Sequence, residues 1–172
     1  MKTETTTTRI ALKFGLIVGV ASMIYSTILY VTGQITNSPL LWLSAIISIV
    51  GMVLAMKEFR EDNGGFMTYS QGLGIGTMMS AVSGFLAATY SYIYNEFIDP
   101  TLRQQIMDKV RTDLENKGMD DTQIDQAMAM SEKFSSPGLG FVFGLIGAIF
   151  VGFLISLIIS GIMKKDKPFE IE

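Results

Sequence analysis

Four long apolar runs, each bounded by charges or turn residues, constrain this chain more than any other feature. They fall at about residues 10–31, 40–56, 67–94 and 139–163. A helix rises about 1.5 Å per residue, so roughly 20 residues cross a hydrocarbon core about 30 Å thick. Inside such a core only helices and closed barrels satisfy their own backbone. The runs predict an all-α integral membrane protein with four transmembrane helices, built as a single membrane domain over residues 1–172. Charged residues make up 17% of the chain, against roughly 25% in an ordinary soluble domain. They cluster between the runs, which is the distribution a membrane imposes.

Residues 1–9 are polar and rich in threonine, and read as a short frayed tail. The first run is too long for the apolar part of a signal peptide and no small-x-small site follows it, so an uncleaved span is expected. Lys13 lies one turn inside that span and is expected to snorkel to the headgroups. Trp42 reads as an interfacial anchor of the second run. Residues 57–65 read as a charged turn, with Asn63, Gly64 and Gly65 suited to a tight reversal. The third run exceeds the core thickness and should tilt or protrude, with Tyr90, Tyr92 and Tyr94 at its far interface.

Residues 99–134 form the one substantial polar segment, and they predict an extramembrane helical hairpin between spans three and four. Asp99 is a candidate N-cap with Pro100 at the first helical position. Leu102, Ile106, Val110 and Leu114 recur every four residues as one apolar stripe. Lys117 and Gly118 supply a terminal cation and a C′ glycine. Asp120 and Gln123 have the spacing of a capping box, and Met119 and Ile124 that of a hydrophobic staple. Pro137 closes the segment.

Basic residues set the expected orientation. Lys2, Arg9, Lys13, Lys57, Arg60, Lys164, Lys165 and Lys167 would share one side of the membrane, and the turn after span one carries no charge. The hairpin holds Arg103, Lys109, Arg111, Lys117 and Lys133, diluted over a long acidic segment. The positive-inside rule then puts both termini in the cytoplasm and the hairpin outside. Tyr30, Trp42 and Tyr90–Tyr94 would all lie at the outer interface.

Arg60-Glu61-Asp62-Asn63-Gly64-Gly65 leads into Tyr69-Ser70-Gln71-Gly72, then Tyr92-Ile93-Tyr94 and Phe97-Ile98-Asp99-Pro100, with a glycine-rich span after the hairpin. This series resembles the bacterial membrane family catalogued as domain of unknown function 4199, over nearly the whole chain. The resemblance implies a bacterial inner-membrane protein of this layout and carries no activity with it.

Small residues recur every four positions in three of the spans. The ridges run through Ala11, Gly15 and Gly19; through Gly72, Gly76, Ser80, Gly84 and Ala88; and through Gly140, Gly144, Ala148 and Gly152, then on to Ser156 and Ser160. In lipid, close approach of backbones over small residues drives much of helix packing. Spans three and four are therefore expected to be antiparallel neighbours along Gly76, Ser80 and Gly84 against Gly144, Ala148 and Gly152. A homo-oligomer seam is the competing use of the same ridges. Gln71 reads as an interior amide bonding across to a neighbour's hydroxyl. Met119, Met128 and Met130 are either an adaptable partner surface or the hairpin's own core.

The chemistry available is narrow. The chain has no Cys and no His, which removes thiols and the commonest general base and metal ligand. No charged side chain lies in the middle of a span, as ion-coupled transport usually needs. Asp120, Asp121 and Asp125 lack the glycine and closing glutamate of a calcium loop. Gly138, Gly140 and Gly144 lack the strand of a dinucleotide loop. No catalytic, cofactor-binding or metal-binding residue is expected, and with a net charge of −3 no nucleic-acid partner. The leading expectation is a structural or accessory protein that binds the lipid bilayer and a membrane or periplasmic protein. An oligomeric channel or small-solute carrier is the alternative, and an enzyme is not expected.

Overall fold

Helix starts and stops follow from local side chains. In the computed structural model, which describes residues 6–134 and 136–167, Thr6 accepts the backbone N–H of Arg9 at 3.3 Å and opens α1 (Thr7–Val31). Pro39 sits in the first turn of α2 (Ser38–Asp62), where its missing N–H has no consequence. Thr68 and Gln71 form a reciprocal capping box at the start of α3 (Tyr69–Ile93). The chain then continues through a π-helical turn (Tyr94–Ile98), closed by the Asp99 N–H donating to the Tyr94 carbonyl at 2.9 Å. α4 (Thr101–Asn116), α5 (Asp121–Phe134) and α6 (Pro137–Met163) complete an all-helical fold of six α-helices. Four of these, α1, α2, α3 with its π turn, and α6, are long and apolar enough to cross a membrane.

α3 is the central helix, with α6 on one side and α1 on the other, and α2 packs mainly on α1. Side chains set these distances. Down the α3–α6 seam, Gly72 faces Ser160, Gly76 faces Ser156, Ser80 faces Gly152 and Gly84 faces Ala148. A methyl on Gly84 would come within 2.7 Å of the Ala148 Cβ, and one on Gly72 within 2.8 Å of the Ser160 Oγ. Each glycine meets a residue that has a Cβ, so the surfaces interlock. On the other flank Gly15 takes Val82 and Gly19 takes Leu86.

The buried core lies at one end of the bundle. It combines the beginning of α1 (Ile10, Ala11, Phe14, Val18), the end of α2 (Met52, Ala55, Met56, Phe59), the beginning of α3 (Ile75, Met79) and Ile159 of α6. Methionine suits irregular gaps. Met52 and Met79, with Met67 just before α3, fit against glycine notches at Gly76, Gly51 and Gly72 respectively. The backbone closes this end as well. Met67 and Lys165 exchange both backbone hydrogen bonds, at 2.9 and 2.8 Å. Arg60 donates to the Met163 carbonyl at 3.3 Å, satisfying an orphan acceptor at the end of α6. Gly64 and Gly65, at φ +69 and +90, make the reversal that brings Met67 to this bridge.

The opposite, open end has little buried apolar surface. Its main cross-link is a tyrosine cluster in which Tyr30 lies 4.6 Å from Tyr94 and 6.4 Å from Tyr90, ring centre to ring centre. Hydroxyls lock it, with Thr27 and Tyr90 2.5 Å apart and Tyr30 and Ser91 3.2 Å apart. α4 and α5 lie against each other at this end. Arg103 donates to the Glu132 carbonyl, and Arg111 pairs with Asp125.

Several expectations change. The segment expected as a charged turn is helical as far as Asp62, because Lys57 and Glu61 pair across one turn and Phe59 is buried. Lys13 does not stand alone: its ammonium lies 2.7 Å from both Glu58 oxygens. Gln71 caps its own helix rather than bonding to a neighbour. Asp99 acts one position earlier than expected, accepting from the Thr101 N–H and hydroxyl at 3.0 and 2.6 Å. In α4, Met107 is buried in place of Ile106. The expected frayed tail begins helix at Thr7, and residues 1–5, 135 and 168–172 lie outside the described residues. The α3–α6 seam engages the last four residues of the α6 ridge, so Ser156 and Ser160 are inside it and Gly140 and Gly144 are not.

The seam predicts an asymmetric response to substitution. Gly76→Ile and Gly152→Ile should each destabilise by about 2 kcal/mol, the range of overpacking a tight contact. Gly147→Ile, where an added Cβ meets nothing within 4 Å, should be neutral or slightly stabilising through helix propensity. Thermal unfolding in detergent checks this, and equal melting of all three would contradict the packing.

Candidate functional site

Beyond Ala148 the seam opens. α3 and α6 diverge, and the gap becomes a cleft of about 480 Å³, within the range of small-molecule sites. Gly84, Ala87 and Ala88 of α3 form one wall, and Gly140, Gly144 and Ala148 of α6 the other. Phe141 lies across the inner part, edge-on to Phe85 with ring centres 6.1 Å apart. α4 covers the mouth with Arg103 and Ile106.

The polar groups gather at that mouth. Ser91, Asn95 and Glu96 line it from the end of α3. The π turn accounts for their placement: one residue is accommodated beyond the α-helical register, Tyr94 turns into the tyrosine cluster, and Asn95 and Glu96 come to the cleft side. Asn95 donates to the Ser91 carbonyl at 2.7 Å and to its hydroxyl at 3.2 Å. Arg103 makes one long bond, 3.4 Å to the Glu132 carbonyl, and its guanidinium has further donors. Among the described residues Glu96 has no ion pair. The arrangement is an apolar slot with one cation, one anion and three neutral polar residues, Ser91, Tyr92 and Asn95, in its lining.

The ridge residues divide between packing and this cleft. Gly15, Gly19, Gly72, Gly76, Ser80 and Gly152 sit only in helix contacts. Gly84 and Ala148 form the last contact of the seam and the floor of the cleft. Gly140 and Gly144 line the cleft, and a Cβ on either would meet nothing within 4 Å. The methionines are not brought together as one exposed face: Met130 is 63% exposed, while Met119 and Met128 are half-buried. Among the described residues no group of acids could hold a metal ion.

Asn95, Glu96 and Arg103 were not singled out from the sequence. They lie beyond the third apolar run, which ends at residue 94, and no motif marks them. A second, smaller crevice at the closed end is lined by Arg9, Lys13, Glu58 and Asp62. Its central pair, Lys13 with Glu58, is already neutralised.

The cleft predicts selective access. The chain has no native Cys, so single thiols report cleanly. Gly144→Cys should react with a bulky membrane-soluble maleimide, whereas Ser156→Cys, fully buried in the seam, should not. Equal labelling rates would mean that the two helices do not diverge as described.

No curated protein and no solved structure matches this chain. A family model does match, described as "Protein of unknown function (DUF4199)", over residues 13–165, which takes in every residue of the cleft and all of the closed core except Ile10 and Ala11. The chain belongs to that family.

Proposed function

We propose that this protein is an accessory protein of the bacterial inner membrane, with both termini in the cytoplasm and α4–α5 outside as a helical hairpin presented to a partner protein. Membrane insertion is supported by the faces the bundle leaves bare. Only 17% to 28% of the most apolar window of each long helix is buried. Leu16, Ile24, Ile158 and Ile162 are among many large apolar side chains that point outward. Lipid is the solvent that accommodates such a surface. The orientation is supported by the gathering of Arg9, Lys13, Lys57, Arg60, Lys164, Lys165 and Lys167 at the closed end.

The observation that carries the accessory role is the character of α4–α5. It is the most polar part of the fold and packs on itself and the π turn rather than widely on the bundle. Met130 stands exposed on it, and exposed Phe97 and Ile98 lie at its base. A channel or carrier would need a polar lining. The buried polar side chains among the described residues are Ser80, Ser156 and Ser160, all three in the helix seam. The same seam uses the small-residue ridges within one chain, which weakens a homo-oligomer built on them. No catalytic constellation is assigned.

Two measurements test this reading. In intact cells an impermeant thiol reagent should label Asn37→Cys and Asn116→Cys, and should label Glu61→Cys only after permeabilisation; labelling of Glu61→Cys alone from outside reverses the orientation. A photo-crosslinking residue at Met130 in native membranes should give a discrete heavier adduct, and one at Leu16 should not. An adduct of twice the chain's mass would transfer the role to self-association, and no adduct would remove the partner.

A further inference from the structure

We propose that the cleft between α3 and α6 is a binding site for one membrane phospholipid, with an alkyl chain in the slot, its phosphate at Arg103 and a primary ammonium at Glu96. The inference rests on the reading that α3 and α6 cross the membrane.

The apolar half of the argument concerns Gly140 and Gly144. A glycine within a helix is less favourable than alanine by roughly 0.5–1 kcal/mol. Elsewhere in the seam that cost is offset by a neighbouring helix seated on the glycine. Here, among the described residues, no neighbouring element comes within 4 Å of where a Cβ would stand, so no described neighbour requires a bare backbone. Bare backbone on the α6 wall, with the small side chains of Ala87 and Ala88 opposite on α3, keeps a slot open. A packed alkyl chain would supply the dispersion contacts that other glycines in this fold receive from side chains.

Charge at the mouth narrows the occupant. The cation and the anion sit on different elements, Arg103 on α4 and Glu96 in the π turn, and no ion pair joins them. An anionic headgroup would satisfy Arg103 and be repelled by Glu96. A quaternary ammonium would offer Glu96 no hydrogen bond. A phosphoethanolamine headgroup satisfies both, since phosphate accepts from guanidinium and a primary ammonium donates to carboxylate. Ser91 and Asn95 remain beside it as neutral partners.

The test uses the full chain, extracted in mild detergent and reconstituted into nanodiscs of phosphatidylethanolamine, phosphatidylglycerol or phosphatidylcholine. Retained lipid is read by native mass spectrometry after a delipidating wash, and membrane integration of each variant is followed by carbonate extraction. The wild-type chain should keep one phosphatidylethanolamine in preference to the other two. Gly144→Leu should lose it, and Gly147→Leu, equally open but outside the cleft, should keep it. Arg103→Gln should weaken retention of all three lipids about tenfold, as expected for loss of a charged hydrogen-bond partner. Glu96→Gln should remove the headgroup preference and leave phosphatidylglycerol binding intact or stronger. Lipid kept equally by Gly144→Leu, or none kept by the integrated wild-type chain, overturns the site. Retention without headgroup preference overturns the zwitterion assignment. A wild-type dimer that Gly144→Leu converts to monomer makes the cleft an interface between copies. A wild-type chain released by carbonate would instead refute the membrane reading itself.

Discussion

Everything in this fold depends on how closely α1 and α6 can approach α3. A helix in lipid gains nothing hydrophobic by leaving lipid for another helix, so association rests on dispersion between surfaces that fit. α3 fits on both flanks by opposite means. Toward α6 its side chains are nearly absent, and glycine and small residue alternate across the seam from Gly72–Ser160 to Gly84–Ala148. Toward α1 it is α3 that projects, with Val82 and Leu86 entering the notches at Gly15 and Gly19. A single substitution at Gly76 or Gly152 therefore acts on the backbone separation of two helices and not on one side chain alone.

The bundle is closed at one end and open at the other. At the closed end the notches receive methionines as well as helices, and the Met67–Lys165 bridge and the Arg60 contact hold the end of α6 against the entry to α3. At the open end the described residues form no comparable core. The helices are held there by a tyrosine cluster between α1 and α3 and by Phe134 on Phe143, with ring centres 5.3 Å apart, between α5 and α6. The cleft is the geometric result of fixing two rods at one end and letting them separate at the other. α4 and the π turn then place charged groups over the gap.

The helices themselves were legible from residue pattern, because each depends on local signals. Run length against bilayer thickness located the four long helices. Asp120 with Gln123 marked the start of α5, where each backbone N–H is accepted by the other residue's side chain, at 3.3 and 2.9 Å. Gly118, at φ +74, marked the end of the α4 turn. Thr68 with Gln71 carried the same capping signal, but Gln71 stood beside an apolar run and was read as an interior amide. The overlooked element was of the legible kind.

Other features had no local signal. A ridge of six small residues on α6 is uniform in the sequence, and nothing in it distinguishes Gly152 from Gly144. One is sealed against Ser80 and the other lines an open slot, because contact depends on where a distant partner sits along the helix. That position is set by the closed end, through pairings such as Met67 with Lys165 that lie far apart in the chain. The Lys13–Glu58 pair likewise exists only once helices from separate segments share an end. Local patterning and bilayer thickness were enough to locate the four long helices and several caps, though not the last turns of α2 or the π turn. Only the packed bundle decided which glycines are covered and which charges meet, because those depend on offsets between helices that no short stretch of chain encodes.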